Sequence, residues 1–180
     1  MKIYLIRHGE SIANRDLVVA GQHDSPLSDT GKAQAHATGE RIAAQLSGVQ
    51  IVSSALSRAL ETATIIAPYT QQNPSSIITS DLCIERYLGK WELTDKQRYL
   101  QILDNDPRSI EADFEPAEDL KNRCLAFIKY LEDLQLPEVI AVSHNGFGKM
   151  LRALEKDKNK IEGWFDLPRQ ENAQVIELMF

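Results

Sequence analysis

The sequence predicts an α/β domain with a mostly parallel sheet, and three observations carry that expectation. Short β-branched, apolar runs alternate along the chain with segments of helical period, the order expected of successive βα units. KIYLI is apolar at four of its five positions, as in a strand covered on both faces, and VQIVSS and EVIAVS are further β-branched runs. The chain has 180 residues, enough for one domain with a substantial core.

Taken in order, KIYLI (2–6) reads as the first strand. The turn-rich DSPLSDTG (24–31) supplies Ser28 as N-cap of a helix expected over about 29–46, with Ala35, Ile42 and Leu46 on its inner face and Gly48 as its stop. VQIVSS (49–54) is the second strand. ALSRALETATIIA (55–67) sets Ala59, Ala63 and Ile66 at helical spacing, and Pro68 is expected to end that helix. SIITS (76–80) is the third strand. Helices are expected over 94–104 and 118–135, joined by the polar DNDPRSIEADFEP. EVIAVS (138–143) is the fourth strand, followed by a helix from about Gly146 to Glu155, and AQVIEL (173–178) is the last strand. No internal repeat or low-complexity linker divides the chain. Residues 1–180 are therefore read as one domain, in which 94–120 is either a lid over the site or a solvated connection.

Composition narrows the function classes. Hydrophobic residues make up 43% and charged residues 26%, an ordinary globular mix. The net charge of −6 offers no global basic field for nucleic acid or an anionic membrane, so any anion site must be built locally. Cys83 and Cys124 show neither a C-x-x-C nor a zinc-ligand spacing, which fits free thiols in a reducing compartment. KIYLI is too short for a secretory core, and no apolar stretch approaches the ~18 residues of a membrane span. A cytoplasmic protein is expected.

The unusual polar residues fall at strand ends. Arg7 and His8 close the first strand, Arg58 lies just past the second, Glu85 follows the third, and His144 follows the fourth directly. Ligands of open α/β sheets bind at that carboxyl edge, near helix N-termini. Four segments distant in sequence should thus converge on one crevice holding two guanidinia, two imidazoles and a carboxylate. That set suits a phosphoryl dianion. Arg7 and Arg58 offer bidentate charge-assisted bonds, His144 a further donor if protonated, and Asn14 its amide. Backbone N–H groups at Gly9, Gly21 or Asn145 are candidates to close the cradle. Gly9 is also expected to let the chain bend where the strand stops. Taken singly, each residue has an ordinary reading. Arg58 is at i,i+3 spacing from Glu61 on a helix surface, His144 suits a buried backbone acceptor, and His23 and His36 are left with an ordinary structural reading ahead of a site role.

Six ordered blocks go further. RHGES with Asn14 six residues after His8, PLSDTGKAQA (26–35), SSALSRALETA (53–63), ERYLGKWE (85–92), AVSHNG (141–146) and ENAQVIEL (171–178) together resemble the histidine phosphatase superfamily. The similarity is to the branch holding cofactor-dependent phosphoglycerate mutases and small broad-specificity phosphatases. It implies a three-layer α/β/α sandwich of the phosphoglycerate mutase type. It implies His8 as a nucleophile carrying phosphohistidine, and Arg7, Arg58, His144 and Asn14 around the phosphoryl group, with Gly21 and Asn145 assisting. Glu85 would be the general acid and then the base. Neither metal nor cofactor is implied, and the partner is a small phosphorylated substrate. The expected function is phosphomonoester hydrolysis. A mutase-type transfer between hydroxyls and a non-catalytic phosphate-binding protein are the alternatives. The sequence departs from the family pattern at Ala13, Leu93, Asn145 and EPAEDL (115–120), positions that bear on pocket and loops more than on chemistry.

Overall fold

The computed structural model describes residues 1–105, 113–159 and 163–180. Five strands form one sheet in the order β3-β2-β4-β1-β5. They are β1 (Lys2–Arg7), β2 (Ile51–Ser53), β3 (Ile78–Thr79), β4 (Glu138–Ser143) and β5 (Val175–Met179). Pairs β1–β4, β2–β4 and β2–β3 are parallel, and β5 alone runs antiparallel, beside β1.

Alternation along each strand builds the two cores. Tyr4, Ile6, Ile51, Ile140 and Val142 face one side and pack on α2 (Asp29–Ile42) and α3 (Ser57–Ile66) through Ile42, Ala59, Ala63 and Ile66. Ile3, Leu5, Val52, Val139 and Ala141 face the other and pack on α5 (Ala117–Asp133) and α6 (Asn145–Lys156) through Leu120, Phe127, Phe147 and Leu151. The result is an α/β/α sandwich. Ser28 caps α2 by accepting from the Gly31 N–H at 3.1 Å, and Ser11 caps the one-turn α1 (Ile12–Arg15).

Several boundaries differ from the sequence expectation. Helix α2 ends at Ile42 and the chain turns, although Leu46 still reaches the core. Helix α3 does end at Ile66, as expected ahead of Pro68. Pro68 sits in the first turn of a 3₁₀ segment, Ala67–Thr70, where its missing N–H is tolerated. The edge strand β3 keeps only two of five expected residues. Helix α4 spans Lys96–Asn105. Residues 106–112 of the 94–120 segment lie outside the described residues. No described helix is long and apolar enough to cross a membrane.

Candidate active site

The parallel register sets the site. Arg7 pairs with Ser143 and Ser53 with Val142, so β1, β2 and β4 end side by side, and His8, Ser54 and His144 are the first residues beyond them. A cavity of about 460 Å³ opens there. Of the residues expected at the site, Arg7, His8, Asn14, Gly21, Arg58, Glu85 and Asn145 line it. His144 does not line it. That residue is fully buried directly behind, with its ring centroid 5.1 Å from that of His8.

Each side chain is held by named partners. The Nδ1–H of His8 meets the Gly9 carbonyl at 2.6 Å, which leaves Nε2 as the unprotonated nitrogen. Burial, then Arg58 and Arg7, hold the His8 pKa well below that of a free imidazole, so the ring is neutral. The Nε2 atom of His144 lies 2.8 Å from Ser54 Oγ, and Ser54 Oγ also accepts from the Leu56 N–H at 3.2 Å. Burial, then Arg58 and His8, keep His144 neutral as well. The Ser54 hydroxyl, with one hydrogen and two lone pairs, can donate to His144 Nε2 or accept from it. His144 Nδ1, the other ring nitrogen, is buried with no partner among the described residues.

Both guanidinia are oriented by backbone carbonyls. Arg7 donates through Nη1 to Gln170 O at 2.6 Å, while its buried Nε has no described partner. Burial and then Arg169 pull the Arg7 pKa down to about 9. Arg58 donates to His23 O at 3.0 Å and to Gly21 O at 2.7 Å, and burial lowers its pKa. The surface pairing of Arg58 with Glu61 is not made; a Glu61 oxygen accepts from the Leu27 N–H. Gly21 thus contributes its carbonyl to Arg58 rather than an N–H bond within the protein. Asn14 accepts at Oδ1 from Ser11 N and Asn172 Nδ2, which leaves its amide nitrogen for the cavity. The Asn145 side chain accepts from Gln170 N at 3.2 Å, and its own N–H, the first of α6, is unused among the described residues.

Glu85 sits at the N-terminus of α6. Its oxygens accept from Gly146 N and Phe147 N, both at 3.1 Å, and from Arg86 N at 2.9 Å. Gly9 has a role other than the expected bend. Its φ is unexceptional, but a Cβ there would lie 2.4 Å from the Gly31 carbonyl, so the glycine lets α2 seat against the His8 loop.

Sequence reasoning missed Arg86, Lys149, Trp164, Phe165 and Arg169, which also line the cavity with Lys96 and Tyr99 of α4. Most lie on irregular segments or on a helix flank, where no strand end marks them. His36 bonds Tyr69 away from the site, and both cysteines are free and buried. No group of three His, Cys, Asp or Glu side chains suited to a metal occurs among the described residues.

A cavity rich in anion-binding groups, at the carboxyl edge of a parallel sheet in an α/β/α sandwich, defines the class. The sequence profile of the histidine phosphatase superfamily (branch 1) matches residues 3–180, and the chain belongs to that family. A probable phosphatase of Schizosaccharomyces pombe is 33% identical over 174 residues, covering 90% of this chain and 80% of its own. A 2,3-bisphosphoglycerate-dependent phosphoglycerate mutase 2 of Lactobacillus johnsonii is 50% identical over 68 residues, 37% of this chain; the match spans only 30% of that mutase. Among solved structures, the mycobacterial glucosyl-3-phosphoglycerate phosphatase in complex with VO3 superposes with a TM-score of 0.82 at 26% identity, over 99% of this chain and 90% of its own.

Proposed function

We propose that the protein is a phosphomonoesterase for small phosphorylated metabolites, working through a phosphohistidine at His8 and without a metal. The observation that carries this reading is the state of His8: a neutral ring with Nδ1–H fixed on the Gly9 carbonyl, its Nε2 free, on the wall of a cavity it shares with Arg7 and Arg58. Nε2 attacks phosphorus as the ester P–O bond breaks. Arg7, Arg58, Asn14 and His144 stabilise the charge on the equatorial oxygens. An alkoxide leaves poorly, so Glu85 delivers a proton to it. In the free site both Glu85 oxygens accept from backbone N–H groups, so this step needs the carboxyl protonated and one oxygen turned from α6. The carboxylate then takes a proton from water, which attacks phosphorus and releases phosphate from His8.

The match to a mutase supports a second fate for the same phosphoenzyme, return of the phosphoryl group to another hydroxyl. A screen over phosphorylated metabolites, run with wild type and His8→Ala in parallel, tests the proposal. Release of inorganic phosphate and an acid-labile, base-stable phosphoryl adduct, both absent in His8→Ala, are expected. Positional isomers of the substrate without phosphate release would establish the mutase instead. Turnover and adduct retained in His8→Ala would overturn the assignment of His8.

A further inference from the structure

The block PLSDTGKAQA (26–35) sends no side chain to the cavity. Its polar residues meet the loop that follows β1 instead. Ser28 donates its N–H to the Glu10 carbonyl at 2.9 Å and its hydroxyl to a Glu10 carboxylate oxygen at 2.6 Å. Gln34, further along α2, accepts at Oε1 from the Glu10 N–H at 2.8 Å. The donor fixes which way that amide points, because a backbone N–H needs an acceptor and only the amide oxygen is one.

The Glu10 N–H belongs to the same peptide group as the Gly9 carbonyl, and that carbonyl accepts from His8 Nδ1 at 2.6 Å. One planar unit therefore links Gln34 to the nucleophile. Among the described residues, these two bonds are the ones its N–H and C=O make. The planes on either side have other holders. Before it, the His8 carbonyl accepts from Asn172 Nδ2 at 2.9 Å and the Gly9 N–H donates to Thr62 Oγ1 at 3.0 Å. After it, the Glu10 carbonyl accepts from Ser28. With both neighbours fixed, the plane between can still turn about the Cα bonds of Gly9 and Glu10. Gly9 is required by its close approach to the Gly31 carbonyl, and a residue without a Cβ sets that rotation only weakly.

We propose that Gln34 is a positioning residue for the nucleophile: its amide oxygen holds the Gly9–Glu10 peptide plane so that the Gly9 carbonyl faces His8 Nδ1, which selects the tautomer with Nε2 free. This rests on the phosphohistidine reading of His8 and adds to it the group that enforces the reactive state. A free imidazole favours hydrogen on Nε2, the tautomer with no lone pair at the attacking nitrogen. An acceptor at Nδ1 reverses that preference. The acceptor serves only while the plane keeps its orientation, and turning the plane takes the carbonyl away from the ring. Donation to Gln34 also polarises the peptide, which makes the Gly9 oxygen a stronger acceptor. As phosphorus bonds to Nε2 the ring gains positive charge, and Nδ1–H donates more strongly to that same oxygen. Gln34 itself touches neither substrate nor ring and transfers no proton.

Imidazole ¹⁵N spectra and single-turnover kinetics test this together. Gln34→Met keeps the length of the side chain and loses the acceptor, whereas Gln34→Glu keeps the acceptor. In wild type and in Gln34→Glu, the His8 shifts should report hydrogen on Nδ1 and a bare Nε2. In Gln34→Met, hydrogen should move in part to Nε2. Phosphohistidine formation from nitrophenyl phosphate at saturating substrate should slow about tenfold in the same variant, the lower end of what an outer-shell partner of a histidine is worth. Gln34→Glu should recover most of that rate. Hydrogen remaining on Nδ1 in Gln34→Met, or a rate equal to that of wild type, overturns the proposal, and so does a slowing that Gln34→Glu shares in full. Wild type supplies a measurement that needs no variant, should Gln34→Met fail to fold. Vanadate bonded to Nε2 strengthens donation along the chain of bonds, so the Glu10 amide proton should shift downfield; a Glu10 proton that stays in place while the His8 ring responds overturns the link through Gln34. If no phosphoryl adduct forms in any of the three proteins, the phosphohistidine reading fails, and the tautomer comparison still decides what Gln34 does.

Discussion

Acidification should destabilise the free protein through His8 and His144, by an amount that follows from their burial. Both rings are buried and held neutral by desolvation and by Arg58, so their folded pKa values lie well below those of the unfolded chain. The unfolded imidazoles take up a proton near pH 6.5 while the folded ones do not. Unfolding therefore binds protons below neutrality, and stability falls as pH falls. With an unfolded pKa of about 6.5, lowering the pH from about 7.5 to 5.5 removes about 1.4 kcal/mol per imidazole, or about 2.7 kcal/mol for the pair. That is a large share of the ~5–15 kcal/mol typical of a domain. The window excludes the surface carboxylates Asp16 and Glu177. Hydrogen bonds from Arg15 and Lys2 lower their pKa, and they titrate further into acid. Urea unfolding at the two pH values, without phosphate in the buffer, is the assay. Replacing either ring, as in His8→Asn or His144→Asn, should halve the pH effect. A wild-type stability that is flat or rises between pH 7.5 and 5.5 would refute the account of two neutral buried imidazoles. So would a loss that persists undiminished in both variants.

Three further outcomes follow from the geometry. Ser54→Ala removes the described partner of the buried His144 ring, so the ¹⁵N shifts of that ring should change, and vanadate affinity should drop by roughly two- to tenfold, the worth of one hydrogen bond; unchanged shifts would show that Ser54 does not set its tautomer. Glu85→Gln should slow alkyl phosphate hydrolysis by on the order of 10²–10⁴ but formation of phosphohistidine from a nitrophenyl ester much less, because the phenolate needs no proton to leave; burst kinetics that show equal slowing for both leaving groups would remove Glu85 from the acid role. Gly31→Ala places a Cβ 2.0 Å from the Glu10 carbonyl, and because backbone must shift, a loss of about 1–3 kcal/mol in denaturant titration is expected; a variant as stable as wild type would mean that the loop and α2 are not locked together.

The sheet core and the gathering of Arg7, His8, Arg58 and Glu85 at one cavity were legible in the sequence for the same reason. Strands buried on both faces declare themselves by unbroken apolar runs, and a parallel sheet delivers whatever follows each run to one edge. The edge strand β3 was overextended because SIITS has strand composition, but it pairs with β2 at only two positions, Ile78 and Thr79. The far end of the cavity was not legible. Arg169 belongs to neither helix nor strand, and Lys96 reaches the cavity from a helix whose placement depends on tertiary packing. Leu93 stands where the family pattern has glycine, and the structure gives the position its meaning: φ is +67°, the left-handed region, with the side chain largely in solvent.

Glu85 and Glu92 show the limit most clearly. Both are acids in the same block, seven residues apart, and nothing in their spacing says which one faces substrate. The structure separates them by what their oxygens hold. Glu92 Oε1 accepts from the N–H groups of Gln22 at 2.8 Å and Leu88 at 3.1 Å, and it is not among the residues lining the cavity. The same oxygen would lie 2.2 Å from a Cβ at residue 21, where φ is +53°, so only glycine fits there. The Gly21 carbonyl in turn accepts from Arg58. Glu92 therefore holds the Gly21–Gln22 turn, whose Gly21 carbonyl orients the Arg58 guanidinium. Glu85, by contrast, lines the cavity.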